Sequence, residues 1–142
     1  MKNSEWVKSK ISLTTDQLII ADLQVMQKWE KEYMKMLAEI ATKNGNSILE
    51  VGYGMGIAAS FIQKTKIKKH TIIEAHPLVY QHAKKMLQSE IKRKKIELLN
   101  GFWQDIVKTL KDESFDGILF DTFPLKMEKK KNYYFLKKLS GF

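Results

Sequence analysis

Cysteine is absent from this 142-residue sequence, and proline occurs only twice. Without cysteine there is no disulfide framework and no thiolate metal site. His70, His76 and His82 fall into no metal-ligand spacing, so no metal is assigned. No apolar run reaches membrane-spanning length, and the N-terminus, MKNSEWVKSK, lacks the apolar core of a signal peptide. The reading is a cytoplasmic protein with no membrane partner. Arginine is nearly missing too: Arg93 stands alone among 25 basic residues. Base and phosphate recognition leans on arginine forks. The net charge of +9 therefore does not by itself point to nucleic acid. The lysines at 64–69, 84–95 and 126–138 read as solvated surface, and a basic nucleic-acid-binding module is kept only as a second alternative.

What is present is enough for a core. Hydrophobic residues make up 44% and aromatics 11%, ordinary values for a globular chain. One domain is expected over 1–142, with an N-terminal lid and helix in 1–45 and an α/β core in 46–142. Residues 16–41 read as one helix, because Met26, Trp29, Tyr33, Leu37 and Ile40 recur at steps of three and four. Asn44-Gly45-Asn46 stops it. Strands follow at 47–51, 70–75, 95–99 and 115–120. Helices are expected after the first strand to about Lys64, from Pro77 to about Lys92, over 103–111, and over 128–139. Strands alternating with helices predict a parallel sheet with right-handed crossovers.

The sharpest local signal is LEVGYGMG at 49–56, with glycines at 52, 54 and 56. The dinucleotide pattern G-x-G-x-x-G fails, since position 57 is Ile57. The spacing E-x-G-x-G-x-G instead fits the nucleoside-binding turn of class I S-adenosylmethionine methyltransferases, where glycine lets the backbone turn tightly and approach a ligand. Glu50 is placed to meet the charged amino-acid end of that cofactor. Glu74 ends the second core strand, where a carboxylate can accept both ribose hydroxyls. Two further acids stand out. On a helix of about 100° per residue with Met26 as zero, Glu30 falls near ~40°, inside the apolar stripe. A carboxylate there is costly unless paired, and a guanidinium fork would pair it. Asp121 stands at the carboxyl end of the fourth strand, the edge where open α/β sheets bind ligands. An Asp turn starting a loop is the plainer reading of Asp121, and core filling is the plainer reading of the methionines.

Several blocks in order resemble guanidinoacetate N-methyltransferase and the fungal methyltransferase of the internal guanidino nitrogen of arginine. They are VMQKWEKEYM (25–34), ILEVGYGMGIAAS (48–60), IIEAHP (72–77), GFWQD (101–105) and FDGILFDTFP (115–124). The resemblance implies a Rossmann-like class I fold with S-adenosyl-L-methionine as cofactor. It implies that Gly52, Tyr53, Gly54, Met55, Gly56, Ile57 and Ala58, with Glu50, wrap the methionine part. Glu74, Ala75 and His76 would hold the ribose and adenine edge, and Phe102 and Trp103 would line the adenine pocket. Trp6, Met26 and Met34 would cover the cofactor as a lid. Glu30 and Asp121 would hold the guanidino group of the acceptor, with Asp121 also beside the cofactor. Gln104 stands where the guanidinoacetate enzymes carry glutamate, and there the chain looks like the fungal enzyme.

Class I sheets usually continue for three more strands, whereas this chain reaches Phe142 after one helix. The expected fold is thus shortened after the fourth strand, with sheet order 3-2-1-4 and an apolar edge that wants cover. The expected function is N-methylation of a small guanidino acceptor, guanidinoacetate or arginine-like. The alternative is a non-catalytic cofactor-binding remnant, or a half-domain completed as a homodimer over the fourth-strand edge.

Overall fold

The computed structural model describes residues 7–8 and 31–120 with their side chains, and the backbone of 11–13, 17–20 and 23–27. Three short strands come first, β1 (Ile11–Leu13), β2 (Gln17–Ile20) and β3 (Leu23–Gln27). They form an antiparallel sheet in the order β1-β2-β3, with a register shift between Leu18 and Ile19. Then come α1 (Lys31–Thr42), β4 (Ser47–Val51), α2 (Ile57–Gln63), β5 (Lys69–Glu74), α3 (Pro77–Met86), α4 (Gln88–Lys92), β6 (Ile96–Asn100), α5 (Trp103–Ile106) with a 3-10 turn at Val107–Thr109, and β7 (Gly117–Phe120). The four core strands are parallel, in the order β6-β5-β4-β7. In order of appearance this is 3-2-1-4, the Rossmann-like order expected. The helix expected at 128–139 lies outside the described residues.

The helix expected over 16–41 is corrected: Gln17–Ile20 and Leu23–Gln27 are the strands β2 and β3, and the described helix is Lys31–Thr42. The helical spacing rested on positions from Met26 onward, while Ile19, Ile20 and Val25 upstream are β-branched and favour a strand. The expected stripe is corrected as well. Helix α1 buries Met34, Ala38 and Ala41, while Tyr33 is 53% and Ile40 65% exposed. Small residues decide the face. At Gly117 an added Cβ would run into the carbonyl oxygen of Ala41, so α1 lies on β7 backbone to backbone, and alanine fits there where a larger side chain does not. The helix expected from Pro77 to Lys92 is interrupted at Leu87, which leaves helical geometry at φ −106° and ψ 15°.

The sheet is buried on both faces, as parallel sheets require. Alternation along the strands sends Ile48, Ile72, Ile96 and Leu119 to one face, with Met34, Ala38, Ile62, Val79 and Ala83 from α1, α2 and α3. It sends Leu49, Val51 and Ile73 to the other, with Trp103, Val107 and Phe115. Each such aliphatic side chain is worth about 1.5–3 kcal/mol when fully buried. Asp116 ties the start of β7 to that of β4: its Oδ2 accepts from the backbone N–H of Asn46 at 2.9 Å and of Ser47 at 3.0 Å. Those two bonds hold its carboxyl below the usual range. Exposed Lys66, Lys68, Lys69, Lys92, Arg93 and Lys94 gather where β5 and β6 begin, the edge opposite the glycine turn. Among the described residues no helix is long and apolar enough to cross a membrane.

Candidate functional site

The glycine turn leaves β4 at the carboxyl edge of the sheet. The N–H of Gly52 still bonds the carbonyl of Ile73 at 2.8 Å. Beyond it, Gly52, Gly54 and Gly56 take φ values of 93°, 58° and 80°, a region open to glycine and costly for other residues. Tyr53 folds back beneath the turn, 4% exposed, and a Cβ on Gly56 would lie 2.5 Å from its hydroxyl. Burial, with the charge of Glu50 added, pushes the Tyr53 phenol up to about 12. The turn and α2 are therefore held from below, and the glycines leave the backbone bare above.

Glu74, 8% exposed, closes the turn from β5. Its Oε1 accepts from the backbone N–H of Tyr53 at 3.0 Å and of Gly54 at 3.2 Å, and its Oε2 accepts from His76 N–H at 2.9 Å. A carboxylate offers roughly four acceptor positions, and three are used in shaping the loops. Ala75 is half-buried. His76 is fully buried and caps α3, its Nδ1 accepting from the N–H of Leu78 at 3.2 Å ahead of Pro77.

Glu50 is fully buried on the α1–α2 side of β4. Its Oε1 lies 2.9 Å from Nε2 of His70, itself fully buried, and Nδ1 of His70 lies 2.8 Å from Nε2 of Gln63. The motif pointed to Glu50 but not to its partners. Register would have found His70: it sits on β5 two residues before Ile72, the partner of Glu50 across the strands, which is diagonal reach.

The structure brings Glu50, Glu74, His76 and the stretch from Gly52 to Ala58 to one sheet edge. Met55 and Ile57 are half-buried there, and Ala58 is core. Met34 is also core, 1% exposed. Phe102 is half-buried against the α1–α3 layer, whereas Trp103 lies in the opposite layer, edge-on to Phe120 with ring centroids 5.3 Å apart. Gln104 is exposed. Met26 lies on β3, so the helical stripe that joined it to Glu30 does not exist. Trp6, Glu30 and Asp121 lie outside the described residues. Phe120, however, pairs with Val51, so the residue before Asp121 is level with the residue before Gly52. Among the described residues no group of acids and histidines could hold a metal ion.

A parallel sheet of this order, with a glycine turn and strand-end acid at its carboxyl edge, is the Rossmann-like arrangement found in the S-adenosylmethionine-dependent class. Solved structures share the fold. Spermidine synthase from Thermotoga maritima aligns with a TM-score of 0.69 at 18% identity, over 92% of this chain and 52% of that one. The O-methyltransferase TomG from Streptomyces achromogenes, in complex with SAM, aligns at 0.63 and 22% identity, over 77% and 51%. The guanidinoacetate N-methyltransferase family model matches residues 3–140, and the chain belongs to that family. It is also similar to protein arginine N-methyltransferase 2 of Candida glabrata, 36% identical over 91% of this chain and 33% of that protein. The Saccharomyces cerevisiae protein of that name is 35% identical over 83% and 31%. The chain thus spans about a third of the length of these relatives.

S-adenosylmethionine is the methyl donor of this class, and the residues present fit it. The bare turn at Gly52–Gly56 admits close approach, and two buried acids, Glu50 and Glu74, stand beside it.

Proposed function

We propose that the protein methylates a guanidino nitrogen of a small acceptor, guanidinoacetate or an arginine-like molecule. The observation that carries the reading is the register Val51↔Phe120, which ends β7 level with the glycine turn and makes Asp121 the next residue. Family membership supplies the chemistry that fits an acid at this place.

When bound, S-adenosylmethionine supplies an electrophilic methyl on a cationic sulfonium. The stretch from Gly52 to Ala58 receives its methionine part. Glu50 attracts the ammonium, Glu74 accepts from the ribose, and Ala75, His76, Phe102 and Trp103 border the adenine. Trp6 and Met26 form the cover, whereas Met34 packs the core instead. A guanidinium is a poor nucleophile, its lone pairs delocalised and its pKa above about 12. Glu30 clamps it, and Asp121 localises positive charge away from the attacking nitrogen and accepts its proton. Alignment of this kind contributes roughly 7–11 kcal/mol in favourable cases.

Mass spectrometry against guanidinoacetate and arginine tests the reading. Asp121→Asn is expected to abolish methyl product while S-adenosylhomocysteine affinity is kept, and turnover equal to the parent would remove Asp121 from the mechanism. Cofactor binding with no methyl product from either acceptor favours the cofactor-binding remnant. Among the described residues β7 pairs only with β4, and a homodimer covering its other edge is part of this proposal. Sedimentation of a monomer at assay concentration would sink that part.

A further inference from the structure

Within the apolar layer between the sheet and α1–α2 runs a chain of three polar side chains: Gln63 on α2, His70 on β5 and Glu50 on β4. Their chemistry fixes the direction of the hydrogen bonds. The amide nitrogen of Gln63 only donates, so Nδ1 of His70 accepts. The ring proton then sits on Nε2 and is donated to Oε1 of Glu50 at 2.9 Å. Both residues are fully buried.

Stability alone is a poor reason for this arrangement. Ile48 and Ile72, beside them on the same face, are fully buried, and an apolar pair usually serves a core at least as well as a polar or charged one. The position suggests a use, since Glu50 lies two residues before Gly52 at the mouth of the turn. A carboxylate that must attract a cation needs its charge and one orientation, and a donated hydrogen bond favours both.

The geometry points to His70 as a positioning residue for the cofactor's amino-acid end: through Nε2–H it holds Glu50 in one rotamer, with its charge directed to the ammonium group of S-adenosylmethionine. This rests on the cofactor reading of the glycine turn and adds residues outside that turn to its recognition. Gln63 sets the tautomer, and His70 acts through Glu50 without touching the ligand.

Calorimetric titration with two ligands tests it. S-adenosylhomocysteine carries the amino-acid end, and 5′-methylthioadenosine lacks it. In His70→Phe, S-adenosylhomocysteine should bind about tenfold more weakly, while 5′-methylthioadenosine stays within about twofold. His70→Gln, which still presents a donor, should recover most of the loss. In a Glu50→Gln background, His70→Phe should cost no further affinity. Equal losses for both ligands, or losses that add across the two sites, would overturn the positioning role. If the parent protein bound neither ligand, the cofactor reading would fail and the proposal with it. Long-range proton–nitrogen spectra of the unmutated protein test the same point without a variant. His70 should show the Nε2–H tautomer, with resonances that move on adding S-adenosylhomocysteine and stay on adding 5′-methylthioadenosine. An Nδ1–H tautomer would overturn it.

Discussion

Tyr53 shows how one residue serves the turn from below. Its ring fills the space under Gly56, and its phenol is raised from about 10 to about 12 by burial and the nearby charge of Glu50. The folded state therefore holds its proton more tightly than the unfolded chain does. Its contribution is complete below pH 10 and is lost progressively as pH rises from there toward 12. Thermal melts across that range should show an alkaline loss of stability that is smaller in Tyr53→Phe. An identical alkaline slope in both proteins would mean that the phenol is not buried as described. Glu74 is the companion case. Its strand-end position led to an expected role at the ribose; what the structure shows is that it binds two N–H groups of the turn. That detail depends on how β4 and β5 lie side by side.

Among the elements, α1 and β7 make the contact that depends most on residue size. Ala41 and Gly117 let two backbones meet, and Met34 and Ala38 fill the remaining layer. Gly117→Ala places a methyl against a carbonyl oxygen that cannot move without its helix. The expected cost is about 3 kcal/mol, read from chemical denaturation. Unchanged stability would show that α1 does not pack at this distance. The helix itself was legible from its periodicity, but its buried face was not. Tyr33 and Ile40 are large and apolar but exposed, whereas Leu37 is partly buried against the core. Close approach favoured the alanines. Further upstream, β2 and β3 were missed because a helical spacing that held from Met26 was carried into a β-branched stretch.

For the molecule as a whole, the core is an α/β sheet whose carboxyl edge carries the glycine turn and whose opposite edge carries the lysines. Binding to the folded state alone must raise stability. S-adenosylhomocysteine at a hundredfold excess over its dissociation constant should add about 2.7 kcal/mol, seen as a higher melting temperature. A short duplex at physiological salt should add nothing comparable. Stabilisation by the duplex and none by S-adenosylhomocysteine would reverse the reading of the lysine surface and of the turn. The four core strands and the turn were legible in the chain, because strand runs and glycine spacing are local rules, and their order followed from the family resemblance.

What the sequence determined by itself is the framework: a parallel sheet in the order 3-2-1-4, a turn of three glycines that needs left-handed backbone, and acids at the ends of its strands. It also determined the family, since motif blocks in a fixed order survive without knowledge of contacts. Only the tertiary structure decided which residues stand behind those motifs. His70 reaches Glu50 because parallel register brings a diagonal neighbour to it, and Gln63 reaches His70 in turn from α2. Trp103 lies against Phe120 because α5 covers the opposite face of the sheet. The physical reason is the same in each case: spacing along a chain sets which way a side chain leaves its own element, while its partners come from elements whose approach is set by packing.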